Sequence, residues 1–85
     1  MPIDLLFFGS LRDTLGRDSE RIDPPSHVVT VEGLVDWLAG RGGAYGEAFG
    51  DKARIHAAVE GERAGPGDSV FGAQAVALFP PTGAL

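Results

Sequence analysis

Two histidines, four serines and a glycine-rich stretch are the parts of this 85-residue sequence that invite a catalytic or ligand-binding reading. His27 and His56 have no neighbouring ligands at metal-site spacing, so no metal site is expected of them. Ser10, Ser19, Ser26 and Ser69 sit in no nucleophile elbow and have no histidine partner, and Ser10 is better placed to cap a short helix by accepting from the amide of Asp13. GRGGAYG, residues 40–46, looks like a phosphate cradle, yet it follows a helical pattern instead of a strand and lacks the Lys-Ser/Thr pair that holds phosphate and metal. The acidic residues are scattered, and no two of them mark a general acid and base. What remains is the stretch ALFPPTGAL, residues 77–85: an apolar run, two prolines, then Thr82, Gly83, Ala84 and Leu85. Pro80 and Pro81 cannot extend a strand ladder, and they restrict the backbone to extended geometry where the chain leaves it.

A chain of this length is one domain, and it buries only about two thirds of its unfolded surface. The small core leaves little room for an enclosed pocket, so chemistry that needs one must borrow walls from a partner. Apolar residues make up 44 % of the sequence, as in ordinary globular domains. No run approaches the roughly twenty apolar residues of a membrane-spanning helix, and the N-terminus lacks a secretory signal pattern. There is no cysteine, hence neither a disulfide frame nor a thiolate metal site. A cytoplasmic protein is expected. Twelve acidic residues against seven basic ones give a net charge of −5, which repels a phosphate backbone. Nucleic acid and membrane are therefore not expected partners.

The elements that must carry the tail follow from periodicity. IDLLFF, residues 3–8, is a strand with Ile3, Leu5 and Phe7 on one face and Asp4, Leu6 and Phe8 on the other. SLRDTLG reads as a short helix closed by Gly16. Residues 18–22 form a polar edge strand stopped by Pro24 and Pro25. Val31, Leu34, Val35 and Leu38 recur at helical spacing behind the N-cap Thr30, with Val29 placed to staple onto Leu34, and this is the main helix. Residues 40–50 read as irregular, anchored by Tyr45 and Phe49. Residues 54–60 alternate as a strand, a short extended piece fits between the turns at Glu60-Gly61 and 65–68, and residues 73–79 form a last apolar strand. One helix on such a sheet places the chain in the α+β class.

FFGSLRDTLGRD, TVEGLVDWLAGRG, AAVEG and the closing VALFPP, in this order over nearly the whole chain, resemble the small sulfur-carrying subunit of molybdopterin synthase, of the ubiquitin-like MoaD/ThiS family. The resemblance implies a β-grasp fold over residues 1–81 with a flexible tail at 82–85, and first and last strands lying parallel at the centre of the sheet. It implies a carrier that is not itself an enzyme and binds no cofactor. An adenylating enzyme of the ubiquitin-activating type uses ATP to activate the C-terminal carboxylate, which becomes a thiocarboxylate. The tail then enters the large subunit of molybdopterin synthase and donates sulfur to a pterin precursor. Combined with the strand alternation, that topology sets Ala77 and Phe79 beside Leu6 and Phe8 on the uncovered face, an apolar patch of the kind that marks interaction sites. Phe8, Arg12 and Phe79 match family positions that contact the partner, and Pro80 and Pro81 direct the exit.

Two departures accompany the resemblance. The family ends in Gly-Gly, which lets a backbone pass a narrow channel, whereas here Thr82-Gly83-Ala84-Leu85 stands at the end. Three readings stay open: proteolytic trimming back towards Gly83, partners adapted to a bulkier end, or an interaction module that has lost sulfur transfer. GAQA, residues 72–75, replaces the family's acidic turn, which removes charge contacts to the activating enzyme. A sulfur carrier of the thiamine pathway is a further alternative, against which the FPP ending speaks.

Overall fold

The computed structural model of the protein describes residues 2–50 and 55–80. In chain order it contains β1 (Ile3–Phe7), α1 (Ser10–Leu15), β2 (Ser19–Ile22), α2 (Val31–Ala39), α3 (Gly43–Phe49), β3 (His56–Val59), β4 (Glu62–Ala64) and β5 (Ala75–Phe79). The five strands form one mixed sheet in the order β2-β1-β5-β3-β4. β1 and β5 run parallel, and every other neighbour is antiparallel. The parallel central pair is the arrangement the resemblance implies.

The strand alternation read from the sequence sorts side chains as expected. Ile3, Leu5 and Phe7 of β1 and Val76 and Leu78 of β5 are buried in a single cluster with Val31, Leu34, Val35 and Leu38 of α2. Apolar burial of this kind contributes about 1.5–3 kcal/mol for each large side chain, so this cluster holds the sheet to the helix. α2 begins at Thr30, whose Oγ1 accepts from the Gly33 amide at 3.1 Å. Amides of the first turn have no partner within the helix. Here those of Val31 and Glu32 donate to the carbonyls of Asp68 and Pro66, at 2.9 and 2.8 Å, and so tie the segment before β5 to the helix start.

Several local expectations are corrected. Residues 40–50 are not irregular: α3 occupies Gly43–Phe49. Phe49 is fully buried, its ring centroid 6.3 Å from that of Phe7, and that contact outweighs the weak helix propensity of the glycines. Among the described residues the sheet thus carries three helices, α3 being added to the short and the main helix expected from the sequence. Ser10 is the first residue of α1 and caps nothing, the N-cap position being Gly9. Gly16 closes α1 in the left-handed conformation, as expected. Val29 is 41 % exposed, so it does not staple down the start of α2. The last strand begins at Ala75, two residues later than the apolar run suggests, because Ala73 lies in a turn in which its amide donates to Val70.

Among the described residues no helix is long and apolar enough to cross a membrane. No group of three His, Cys, Asp or Glu side chains among them is placed to hold a metal.

Candidate functional site

The face of the sheet turned away from α2 carries the candidate site. Residues that share a row across the strands also share a face. One row runs from Arg63 through Ala58 and Ala77 to Leu6 and Ser19, and another sets His56 beside Phe79. Phe8 follows β1, and its ring stacks on that of Phe79, with centroids 4.8 Å apart and planes inclined by 12°. Leu6 is 39 % and Phe8 42 % exposed. The glycine-containing segment, α3, contributes Phe49 to the opposite, buried side of β1, and does not cover Phe8, which is exposed, or Phe79, which is half-buried beneath it.

Pro80 ends β5 directly after this pair. Its ring lies against the backbone of Gly9, where a Cβ would come within 2.9 Å of the proline Cγ. Gly9 also has φ of +59°, a region an L side chain rarely adopts. Both constraints demand glycine, and the close approach fixes the direction in which the chain leaves the sheet. Arg12 projects from α1 into solvent, with a loose ion pair from its Nε to Asp18 at 3.7 Å. Phe8, Arg12, Phe79 and Pro80 therefore lie at one end of the central strand pair. Pro81, Thr82, Gly83, Ala84 and Leu85 lie outside the described residues.

Two polar clusters frame this face, and sequence reasoning found neither. The Glu60-Gly61 turn has positive φ at both residues, 53° and 83°, as a tight hairpin requires. The Glu60 carboxylate accepts from the amides of Gln74 and Ala75, the latter at 3.0 Å, and these two bonds hold its pKa below the ordinary glutamate range. Glu60 thus supplies an acid at the start of β5, where GAQA has none. At the other sheet edge Asp4 accepts from Arg21 Nε at 2.9 Å, and this hydrogen bond lowers the Asp4 pKa. The signal that could have revealed the Glu60 contact is the acid preceding a turn glycine, but its acceptor role depends on a strand fourteen or more positions away.

The fold and this face define a class: the β-grasp fold of ubiquitin-like sulfur carriers, which presents an open sheet surface beside the end of its last strand. The sequence matches the model of the ThiS family over residues 5–83, and the chain belongs to that family. Comparison with curated protein sequences finds no match. Among solved structures the chain is similar to SAMP1 from Haloferax volcanii, at 27 % identity, with a TM-score of 0.73 and all of both chains covered. It is likewise similar to a structure of H. volcanii small archaeal modifier protein 1, at 28 % identity and TM-score 0.69 over 95 % of this chain and 98 % of that one. A Pyrococcus furiosus protein described as molybdopterin converting factor, subunit 1, shares the fold at 21 % identity and TM-score 0.68, over 96 % and 99 % of the two chains.

Proposed function

We propose that this protein is the sulfur-carrying small subunit of molybdopterin synthase. In this reading the C-terminal segment, residues 82–85 here, follows the proline step Pro80-Pro81, which restricts the backbone by its covalent geometry. A ubiquitin-activating-type enzyme adenylates the terminal carboxylate with ATP, and the thiocarboxylate that results is delivered into the large subunit. The observation that carries the reading is the stacking of exposed Phe8 on half-buried Phe79 immediately before Pro80: an apolar face lies at the point where the chain leaves the sheet. A docked partner would receive the tail without searching for it. The protein contributes no catalytic group, only a platform and a reagent.

Incubation with the activating enzyme, ATP and a sulfur donor, followed by intact-mass measurement, tests the proposal. Gain of the mass difference between sulfur and oxygen is the expected result, and an unchanged mass in every processed form of the chain overturns it. Addition of the large subunit and pterin precursor should then return the carrier to its original mass; retention of the sulfur under those conditions would point to another acceptor, such as one in the thiamine pathway.

The similarity to proteins named as archaeal modifiers favours one second reading, in which the activated carboxylate is joined to an amine of another protein. Epitope-tagged protein would then appear in denaturing gels as heavier adducts with isopeptide-linked lysines. A carrier alone gives no such ladder.

A further inference from the structure

The arginines of the described residues differ in whether they have a carboxylate partner. Arg12, Arg17, Arg21 and Arg41 each stand 2.9 to 3.8 Å from a carboxylate of this chain. Arg63, exposed on β4, has no carboxylate partner among the described residues. Among the described residues, in a chain of net charge −5, an arginine without a carboxylate partner is the exception. Its place is equally specific: across the ladder it faces Ala58, and Ala58 faces Ala77.

The two alanines make a low floor, and the taller His56 and Phe79 stand in the neighbouring row. The result is a groove of about 420 Å³ bounded by His56, Ala57, Ala58, Gly61, Arg63 and Phe79. It has an aromatic wall at one side and a guanidinium at its rim. Phe79 belongs both to this groove and to the stacked pair before Pro80, so the groove continues the apolar face.

We infer that this groove is the docking site for a carboxylate side chain set beside an apolar one, carried by the protein that receives this chain's C-terminal segment. The apolar side chain lies on the alanine floor against Phe79, and the neighbouring Asp or Glu accepts from the Arg63 guanidinium, whose planar fork suits a carboxylate. A cation at the edge of an apolar, partly desolvated contact fixes register and rejects partners that bring another cation there. A generally acidic carrier attracts a generally basic partner, so a single acid in that partner, meeting the one arginine that is unpaired among the described residues, identifies the correct orientation. The identity of the receiving protein as the large subunit rests on the function proposed above, whereas the chemistry of the groove does not.

Two experiments separate these dependencies. First, a random peptide display library is selected on the intact protein and on Arg63→Glu, with thermal unfolding used to verify that both are folded. Enrichment of an acidic residue next to an aliphatic or aromatic one on the wild type, lost on R63E, is the expected result. Absence of binders, binders without an acid, or an acid preference that survives R63E each overturns the inference. Second, affinity for the large subunit of molybdopterin synthase is measured for the wild type, R63E and R63K. R63E should bind about tenfold or more weakly, R63K should retain most of the affinity, and one Asp or Glu reversed to Arg on the large subunit should restore R63E. Unchanged binding of R63E overturns the inference. A wild type that fails to bind the large subunit counts instead against the proposed function, and the peptide selection then decides the groove. Dimerisation of the carrier that R63E abolishes would assign the groove to a second copy and likewise overturn the inference.

Discussion

Gly9 and Glu60 are the residues where local cost and long-range gain are most clearly opposed. At Gly9 a methyl group meets both an unfavourable φ and the Pro80 ring, so Gly9→Ala should lose about 1–3 kcal/mol in denaturant unfolding. The same change should move the Phe79 and Pro80 resonances in NMR spectra, since the proline must give way. Glu60 occupies the left-handed region at φ +53°, where glycine or asparagine is the usual choice. Its compensation is the pair of amides at the start of β5. Because those bonds depress the folded pKa of Glu60, the stabilisation is present above the unfolded-state value and is lost as pH falls through the folded one. The Gln74 and Ala75 amide resonances should therefore titrate below the ordinary glutamate range, and a midpoint within that range would contradict the assignment. Glu60→Gln should disturb these amides less than Glu60→Ala, because an amide oxygen still accepts.

α3 is the element with the least intrinsic reason to be helical and the most external support. GAYGEAF loses roughly 1 kcal/mol at each interior glycine relative to alanine. Phe49 offsets this by burial against Phe7, and Phe49→Ala should cost about 3–5 kcal/mol, read as a fall in the unfolding midpoint. The polar half of the support is Glu20 on β2, which accepts from Tyr45 Oη and from Arg41, while the Arg41 guanidinium lies 4.4 Å from the Tyr45 ring centroid and 5.6 Å from that of Trp37. Burial alone would raise the Glu20 pKa, but the bonds from Tyr45 and Arg41 and the charges of Arg41 and Arg17 outweigh it and hold the value down. The Tyr45 pKa is raised, by burial first and then by its bond to the Glu20 carboxylate. The network therefore strengthens α3 between the acid range, where Glu20 protonates, and the alkaline range, where Tyr45 ionises. Hydrogen exchange of α3 amides should accelerate in Glu20→Ala while α2 is unaffected. Uniform acceleration of both helices would mean that the cluster serves the whole fold.

As a whole the molecule separates a face that holds it together from a face that it offers. Leu78 and Phe79 are successive residues with opposite assignments: Leu78 is fully buried, whereas Phe79 shares the open side with Phe8. Leu78→Ala should cost about 2–5 kcal/mol of stability. Phe8→Ala should cost at most about 1.5 kcal/mol, the worth of a stacked aromatic pair at the surface. If the proposed function holds, its binding to the large subunit should nonetheless fall tenfold or more, as for a central aromatic anchor. Titration calorimetry beside thermal unfolding checks the contrast, and a variant that loses stability in proportion to binding would show Phe8 to be part of the core.

Most of this architecture was legible from period and punctuation. Strict alternation in IDLLFF and AVALF divides buried from open residues, and helical spacing from Val31 to Leu38 defines the main helix, because one face of each element must leave water whatever its neighbours are. The resemblance added the parallel pairing of β1 with β5, and with it the adjacency of Phe8 and Phe79. Neither route revealed α3, the Glu60 contact to β5 or the groove at Arg63. Glycine content argued against a helix that Phe49 and Glu20 hold in place from other elements. Whether an arginine has a partner depends on which strands are neighbours, and sequence spacing does not encode that. Local free-energy preferences are written along the chain, whereas charge pairing and ring stacking arise only when distant segments are brought together.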